Sequence, residues 1–183
     1  MKIFVAIVRR VVKVIDKITG NVALVAAWVI LPLIFASVFE VVSRYIFNAP
    51  TIWAYEIGYM ATGVNFLLGS AFTLRERAHI RIDLLYSRLD PKWQSLIDAA
   101  GYILLFLPFS FWLSYRLGIY ALEAYNSGEL SGQSAWNPLI WPFRAIFFLG
   151  FSLLSLQAAA ELIRSILVLA GAGNTSSGGS SHG

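Results

Sequence analysis

Four long apolar stretches, separated by short polar segments, dominate the pattern of this sequence. The charge-free runs cover residues 18–39, 57–74, 99–115 and 145–160. An α-helix rises about 1.5 Å per residue and the hydrocarbon core of a bilayer is about 30 Å thick, so a span needs roughly 20 mostly apolar residues. The fourth run reaches that length when Arg144 lies at the membrane rim, where its side chain can extend to the headgroups. The pattern predicts an all-α integral membrane protein with four transmembrane helices, at about residues 21–43, 54–74, 96–117 and 140–168.

Composition supports a membrane protein rather than a soluble one. Of the 183 residues, 58% are hydrophobic and only 13% are charged, and the mean hydropathy is +0.69. Soluble domains carry roughly 25% charged residues. The chain has no cysteine, which excludes thiol chemistry and disulfides. It also has no Gly-Lys-Ser/Thr phosphate loop, so ATP hydrolysis by this chain is not expected.

Basic residues are concentrated on one side of the predicted spans. Ten of the 14 Lys and Arg residues precede the first span or lie between the second and the third. Basic residues that flank transmembrane helices favour the cytoplasmic side, so both termini are expected in the cytoplasm. The ten are Lys2, Arg9, Arg10, Lys13, Lys17, Arg75, Arg77, Arg81, Arg88 and Lys92.

The two terminal segments differ from the predicted membrane domain, residues 21–170. In residues 1–20, basic positions alternate with apolar ones, which suits an amphipathic helix on the anionic inner leaflet. The pattern is explained equally well, without a surface helix, if the basic residues serve only to hold the N-terminal segment on the cytoplasmic side. Residues 171–183 are mainly Gly and Ser, a composition that cannot bury enough apolar surface to fold, so this tail is expected to be disordered. A native tail and an artificial addition are both open interpretations.

Charged side chains close to the spans need a partner or a function. Glu40 and Arg44 are four residues apart on one helix face, which allows an ion pair; a subunit contact is the other interpretation. Glu56 follows Pro50 and Thr51 at the start of the second helix, where the helix dipole favours a carboxylate. Helix capping is therefore the simplest explanation of Glu56.

A stripe of small and polar residues is predicted on the second helix. Gly58, Thr62, Asn65 and Gly69 recur at helical spacing on one face. Small residues let another helix approach closely, and Asn65 at mid-membrane needs a hydrogen-bond partner. Packing inside the four-helix unit is one interpretation, and a pathway for substrate or ion is the other, although one amide is too little for conduction.

The connection between the second and third spans is the segment densest in charge. Read as a helix, residues 75–89 place apolar side chains on two nearly opposite sides, and Ile80 and Leu84 form the second of these. That second side predicts contact with another helix or polypeptide. His79 is the only histidine outside the tail, so haem ligation by two histidines is excluded and pairing with Asp83 is expected.

Residues 75–85 (Arg-Glu-Arg-Ala-His-Ile-Arg-Ile-Asp-Leu-Leu) resemble the hallmark segment of a known family. The family is the small membrane subunit (Q subunit, DctQ-like) of tripartite ATP-independent periplasmic (TRAP) transporters. The resemblance covers roughly residues 22–164, with its motifs in the expected order. The other similar positions are Trp53, Glu56, the segment 137–143 (Asn-Pro-Leu-Ile-Trp-Pro-Phe), Gly150 and Gln157.

The resemblance implies a subunit of the bacterial inner membrane that binds a large transporter subunit and works with a periplasmic solute-binding protein. Such systems take up organic acids with a sodium gradient. This chain would be a membrane scaffold and not an enzyme, with no catalytic residue, cofactor, metal or nucleic-acid partner. An autonomous homo-oligomeric channel or exporter is the alternative. The residues expected to contact or orient a partner are Glu56, Gly58, Thr62, Asn65, Gly69, Arg75, Glu76, His79, Ile80, Arg81, Asp83 and Leu84.

Overall fold

The computed structural model describes residues 2–76 and 90–169, which are almost entirely helical. Four stretches in this part of the chain are long and apolar enough to cross a membrane, so the prediction of an all-α membrane protein with four spans is confirmed. The helices are α1 (Lys2–Tyr45), α2 (Ala54–Arg75), α3 (Pro91–Gly101), α4 (Leu107–Ser127) and α5 (Trp141–Leu169).

The first helix is longer than any single span requires. α1 has 44 residues and is continuous through Gly20, where the sequence suggested a boundary between a surface segment and a span. At 1.5 Å per residue its length is about 66 Å, roughly twice the thickness of a hydrocarbon core. Part of α1 must therefore lie outside the hydrocarbon. The predicted limits of the segments 1–20, 21–170 and 171–183 stay predictions.

The third span is a composite helix with a wide turn inside it. Asp90 is the N-cap residue of α3, and Pro91 occupies the first helical position, where its missing N–H costs nothing. A π-helical turn, Tyr102–Phe106, joins α3 to α4 and ends just before Pro108. Because a proline ring clashes with the carbonyl four residues earlier, the wider turn relieves that contact.

The helices run alternately up and down. α1 and α2 form an antiparallel pair, in which the Phe39 and Trp53 rings stack 5.7 Å apart at one end. The end of the bundle where α2 ends is the basic end, named after Arg75 and Arg164, which lie there. α5 packs against α1, α2, α3 and α4. In the most apolar 18-residue stretch of α5, 39% of the residues are buried, whereas the corresponding stretch of α1 has 11% buried. α5 is therefore the central helix.

Small residues allow α2 and α5 to approach closely. A Cβ atom placed on Gly150 of α5 would lie 2.6 Å from Leu67 Cγ of α2. Nearby, the buried apolar core contains Ala71 and Ala158 at 0% exposure. Between membrane helices, such close packing is the main source of association, because lipid tails are as apolar as the side chains.

Candidate functional site

Polar side chains gather at the two ends of the bundle. The Arg164 cluster, at the basic end, consists of Asp16, Thr19, Gln157, Glu161 and Arg164. The Glu56 cluster, at the opposite end, consists of Glu56, Ser131, Asn137, Glu129 and Arg144. Both are built from residues far apart in sequence.

The Arg164 cluster joins α1 to α5. Gln157, fully buried, accepts a hydrogen bond from Thr19 Oγ1 at 2.9 Å, and its amide nitrogen donates to Asp16 Oδ1 at 3.1 Å. The Arg164 guanidinium donates to Asp16 and to Glu161, of which the second is only 2% exposed. One cation thus holds carboxylates from two helices, which fixes α1 against α5.

The C-terminal end of α2 lies beside the same cluster. Arg75 rests on Gly20 of α1, where a Cβ atom would come within 2.7 Å of its Nη1. Only a residue without a side chain lets the guanidinium lie this close to the backbone. Arg75 also lies 3.7 Å from Glu76. Arg75 and Glu76, both predicted as contact residues, therefore lie where α1 and α2 meet at the basic end.

Five predicted site residues fall in the inner connection, outside the part of the chain that the structure describes. They are His79, Ile80, Arg81, Asp83 and Leu84. Their assignment as contact residues stays a prediction.

Sequence reasoning missed the Arg164 cluster as a unit. Asp16 was placed in a surface segment and Thr19 in an apolar run, whereas the uninterrupted α1 brings both to α5. A signal was present, because Gln157, Glu161 and Arg164 follow the spacing i, i+4 and i+7 on one face of α5. Three polar side chains on one stripe of an apolar helix indicate a buried polar contact.

The Glu56 cluster ties the start of α2 to the connection between α4 and α5. Glu56, fully buried, accepts a hydrogen bond from Ser131 Oγ at 2.8 Å. Its other carboxylate oxygen has no partner within the described residues. Glu56 lies in the first turn of α2, where the helix dipole favours a carboxylate, but it makes no capping hydrogen bond in the described part of the chain. Its hydrogen bond joins α2 to a side chain 75 positions away.

The connection itself, residues 128–140, is held by polar contacts. Asn137 adopts a positive φ of 46°, a conformation that asparagine tolerates well, and its Oδ1 accepts a hydrogen bond from the Gly132 amide at 2.7 Å. Two guanidinium nitrogens of Arg144 donate to Glu129, each at 2.6 Å. The hydrogen bond from Arg144 holds the pKa of the Glu129 carboxyl below its usual range.

Glu40 anchors the turn between α1 and α2 at the same end. Arg44 Nε donates to Glu40 Oε1 at 2.9 Å, which is the i, i+4 pair that the sequence suggested. The Thr51 amide donates to the second Glu40 oxygen, also at 2.9 Å. Glu40 therefore connects the end of α1 to the residues that lead into α2.

The predicted stripe on α2 is divided between internal packing and open surface. Asn65 Nδ2 donates to the Ala26 carbonyl of α1 at 2.7 Å, which gives it a partner inside the chain. Thr62 is exposed and donates to the Gly58 carbonyl at 2.8 Å. Gly69 has open space where a side chain would be. The residues Gly58, Thr62 and Gly69 therefore stay accessible, while Asn65 stabilises the α1–α2 pair.

The arrangement is suited to fixing helices in place. Within residues 2–76 and 90–169, no group of three or more His, Asp or Glu residues could hold a metal ion. In the same ranges, two buried side-chain polar atoms lack a hydrogen-bond partner, Glu56 Oε2 and Ser114 Oγ. The other polar groups of the two clusters bond to one another or to the backbone.

Four membrane-crossing helices with polar side chains paired at both ends define a multi-pass integral membrane protein. The family model of the DctQ component of tripartite ATP-independent periplasmic transporters matches residues 33–168. The match covers most of the chain, and the chain belongs to this family, as the resemblance indicated. No curated protein and no solved structure gives a match.

Proposed function

We propose that this chain is the small permease subunit of a sodium-coupled TRAP transporter for organic acids and acts as a membrane scaffold for the large subunit. The family match over residues 33–168 carries this proposal. In the same proposal, a periplasmic solute-binding protein delivers the substrate, and the large subunit binds substrate and sodium. The chain resides in the bacterial inner membrane with both termini in the cytoplasm, following its basic flanks.

The pairing of the polar groups supports a scaffold. Gln157 and Glu161 are almost fully buried, and both are engaged in the contacts that join α1 to α5. Asn65 is engaged in the same way between α1 and α2. A transport path needs polar groups that exchange partners with a passing solute, as in the interrupted helices of transporter cores. Side chains that already bond to one another favour rigidity instead.

The apolar surface supports a partner within the membrane. Large hydrophobic side chains are exposed along α4, among them Phe111 at 72% and Tyr115 at 63%. Lipid covers such a surface in isolation, and the helices of a larger subunit can cover it in a complex.

Gentle purification of the tagged chain from its native membrane tests the proposal. We expect a larger membrane protein with many spans to copurify at a fixed stoichiometry, identified by mass spectrometry. The matched control is an unrelated four-helix membrane protein carrying the same tag in the same cells. Recovery of a homo-oligomer alone would contradict the proposal and favour an autonomous channel.

A further inference from the structure

A groove runs along the bundle between α4 and α5. Its floor is made of small side chains, Ser114 on α4 and Ser152, Ser155 and Ala159 on α5, and Phe111 and Leu156 stand at its rims. Ser114 is 6% exposed, whereas Phe111 is 72% exposed. A narrow floor with large apolar rims is a shape into which another helix can pack.

The groove lies near the middle of the membrane. Arg144 and Arg164 are twenty residues apart on α5, about 30 Å at 1.5 Å per residue, which matches the hydrocarbon thickness. Ser155 is about halfway between them. α4 runs antiparallel to α5 with Gly118 against Phe148, so Ser114 lies at about the depth of Ser152, where water is absent.

The hydroxyl of Ser114 is the unusual feature of this groove. It is buried and has no hydrogen-bond partner among residues 2–76 and 90–169. Hydroxyls elsewhere on the spans donate to the carbonyl four residues earlier, as Thr62, Ser70 and Ser155 do. An unpaired hydroxyl in hydrocarbon costs free energy that a partner can restore.

We propose that this groove seats a transmembrane helix of the large subunit, which presents small residues to the floor and an acceptor oxygen to Ser114. The proposal rests on the proposed function. A lipid acyl chain can fill the groove but carries no polar atom at mid-membrane depth, whereas a helix offers carbonyl and side-chain oxygens. Rotation about χ1 can turn the serine hydroxyl toward the incoming helix.

Site-specific photocrosslinking in the intact complex tests where the large subunit binds. The photoreactive residue benzoylphenylalanine replaces one exposed phenylalanine at a time: Phe111 at the groove rim, Phe66 on α2 or Phe35 on α1. Phe66 and Phe35 are matched controls for Phe111, because the three side chains are similarly exposed: Phe111 at 72%, Phe66 at 77% and Phe35 at 67%. We expect the adduct with the large subunit from Phe111 and only background from Phe35.

Each other crosslinking result overturns the groove assignment in a recognisable way. An adduct from Phe66 but not from Phe111 would move the contact to the predicted α2 stripe and leave the proposed function intact. An adduct of two copies of this chain, or with lipid alone, would assign the groove to that occupant. If the unsubstituted chain brings down no large subunit, the proposed function itself fails.

Removal of the hydroxyl tests its part in the contact. Ser114→Ala removes a hydroxyl that has no partner in the part of the chain that the structure describes, so the thermal stability of the isolated chain should be unchanged or higher. Its association with the large subunit should weaken about three- to tenfold, the size of a hydrogen bond between membrane helices. Ser110→Ala is the control, since Ser110 is buried one turn earlier and donates to the Leu107 carbonyl. Equal association of both variants would overturn the assignment.

Discussion

Replacing Arg164 with leucine is expected to lower the free energy of unfolding by about 3 kcal/mol. Removing one member of a buried ion pair costs about 3 to 5 kcal/mol, because the other charge is left without compensation. The lower figure applies because the Arg164 side chain is 27% exposed, although Glu161 is only 2% exposed. The variant also leaves Asp16 of α1 without its cation. Unfolding by SDS titrated into mild detergent, followed by circular dichroism, measures the loss.

Arg10→Leu is the matched control for the loss of one positive charge. Arg10 is exposed on α1, and surface substitutions usually change stability by less than about 0.5 kcal/mol. A second variant, Arg164→Leu with Glu161→Leu, should recover part of the loss, because it removes one of the uncompensated carboxylates. If Arg164→Leu and Arg10→Leu unfold at the same SDS fraction, the Arg164 cluster does not hold α1 against α5.

Substituting Gly150 by alanine is expected to destabilise the bundle by about 1 to 3 kcal/mol, the usual cost of overpacking. The new methyl group would lie 2.6 Å from Leu67 Cγ and 2.7 Å from its Cδ2, so α2 and α5 must separate or Leu67 must leave its place. This loss outweighs the gain of about 1 kcal/mol that alanine normally brings to a helix interior. The same SDS titration measures it.

Gly69→Ala is the control for helix propensity. Gly69 lies inside α2 with nothing within 4 Å of an added Cβ, so this variant should be neutral or more stable by roughly 0.5 to 1 kcal/mol. Combining Gly150→Ala with Leu67→Ala should cost less than the sum of the two single losses, because the truncated side chain makes room for the methyl group. Equal responses of Gly69→Ala and Gly150→Ala would show that α2 and α5 are not in close contact at Leu67.

The four spans could be predicted because a membrane crossing depends on local composition. An uninterrupted apolar run of sufficient length is enough, and the described residues contain four helices long and apolar enough to cross a membrane. The sequence also showed that Asn65 needs a hydrogen-bond partner, because it lies near the middle of the second span. That the partner is the Ala26 carbonyl required the packing of α1 against α2, which no local pattern contains.

The candidate site was harder to foresee, because its contacts depend on tertiary structure. Glu56 was explained by the helix dipole, a local effect, whereas its carboxylate meets Ser131 from a distant connection. Asp16 was separated from the membrane domain because the alternating basic and apolar positions of residues 1–20 suggested a surface helix, whereas α1 continues through Gly20. Glycine in a helix costs only about 1 kcal/mol, and here its missing side chain gives Arg75 a place beside α1.

Uptake measured in proteoliposomes tests most directly whether this chain works only as part of a complex. Vesicles with an inward sodium gradient would contain either the purified chain alone or the chain with its large subunit, each with the solute-binding protein outside. Labelled organic acids that the solute-binding protein binds are suitable solutes. The expected result is uptake by the two-subunit vesicles and none above empty vesicles by the chain alone. Sodium-driven accumulation by the chain alone would contradict the scaffold role.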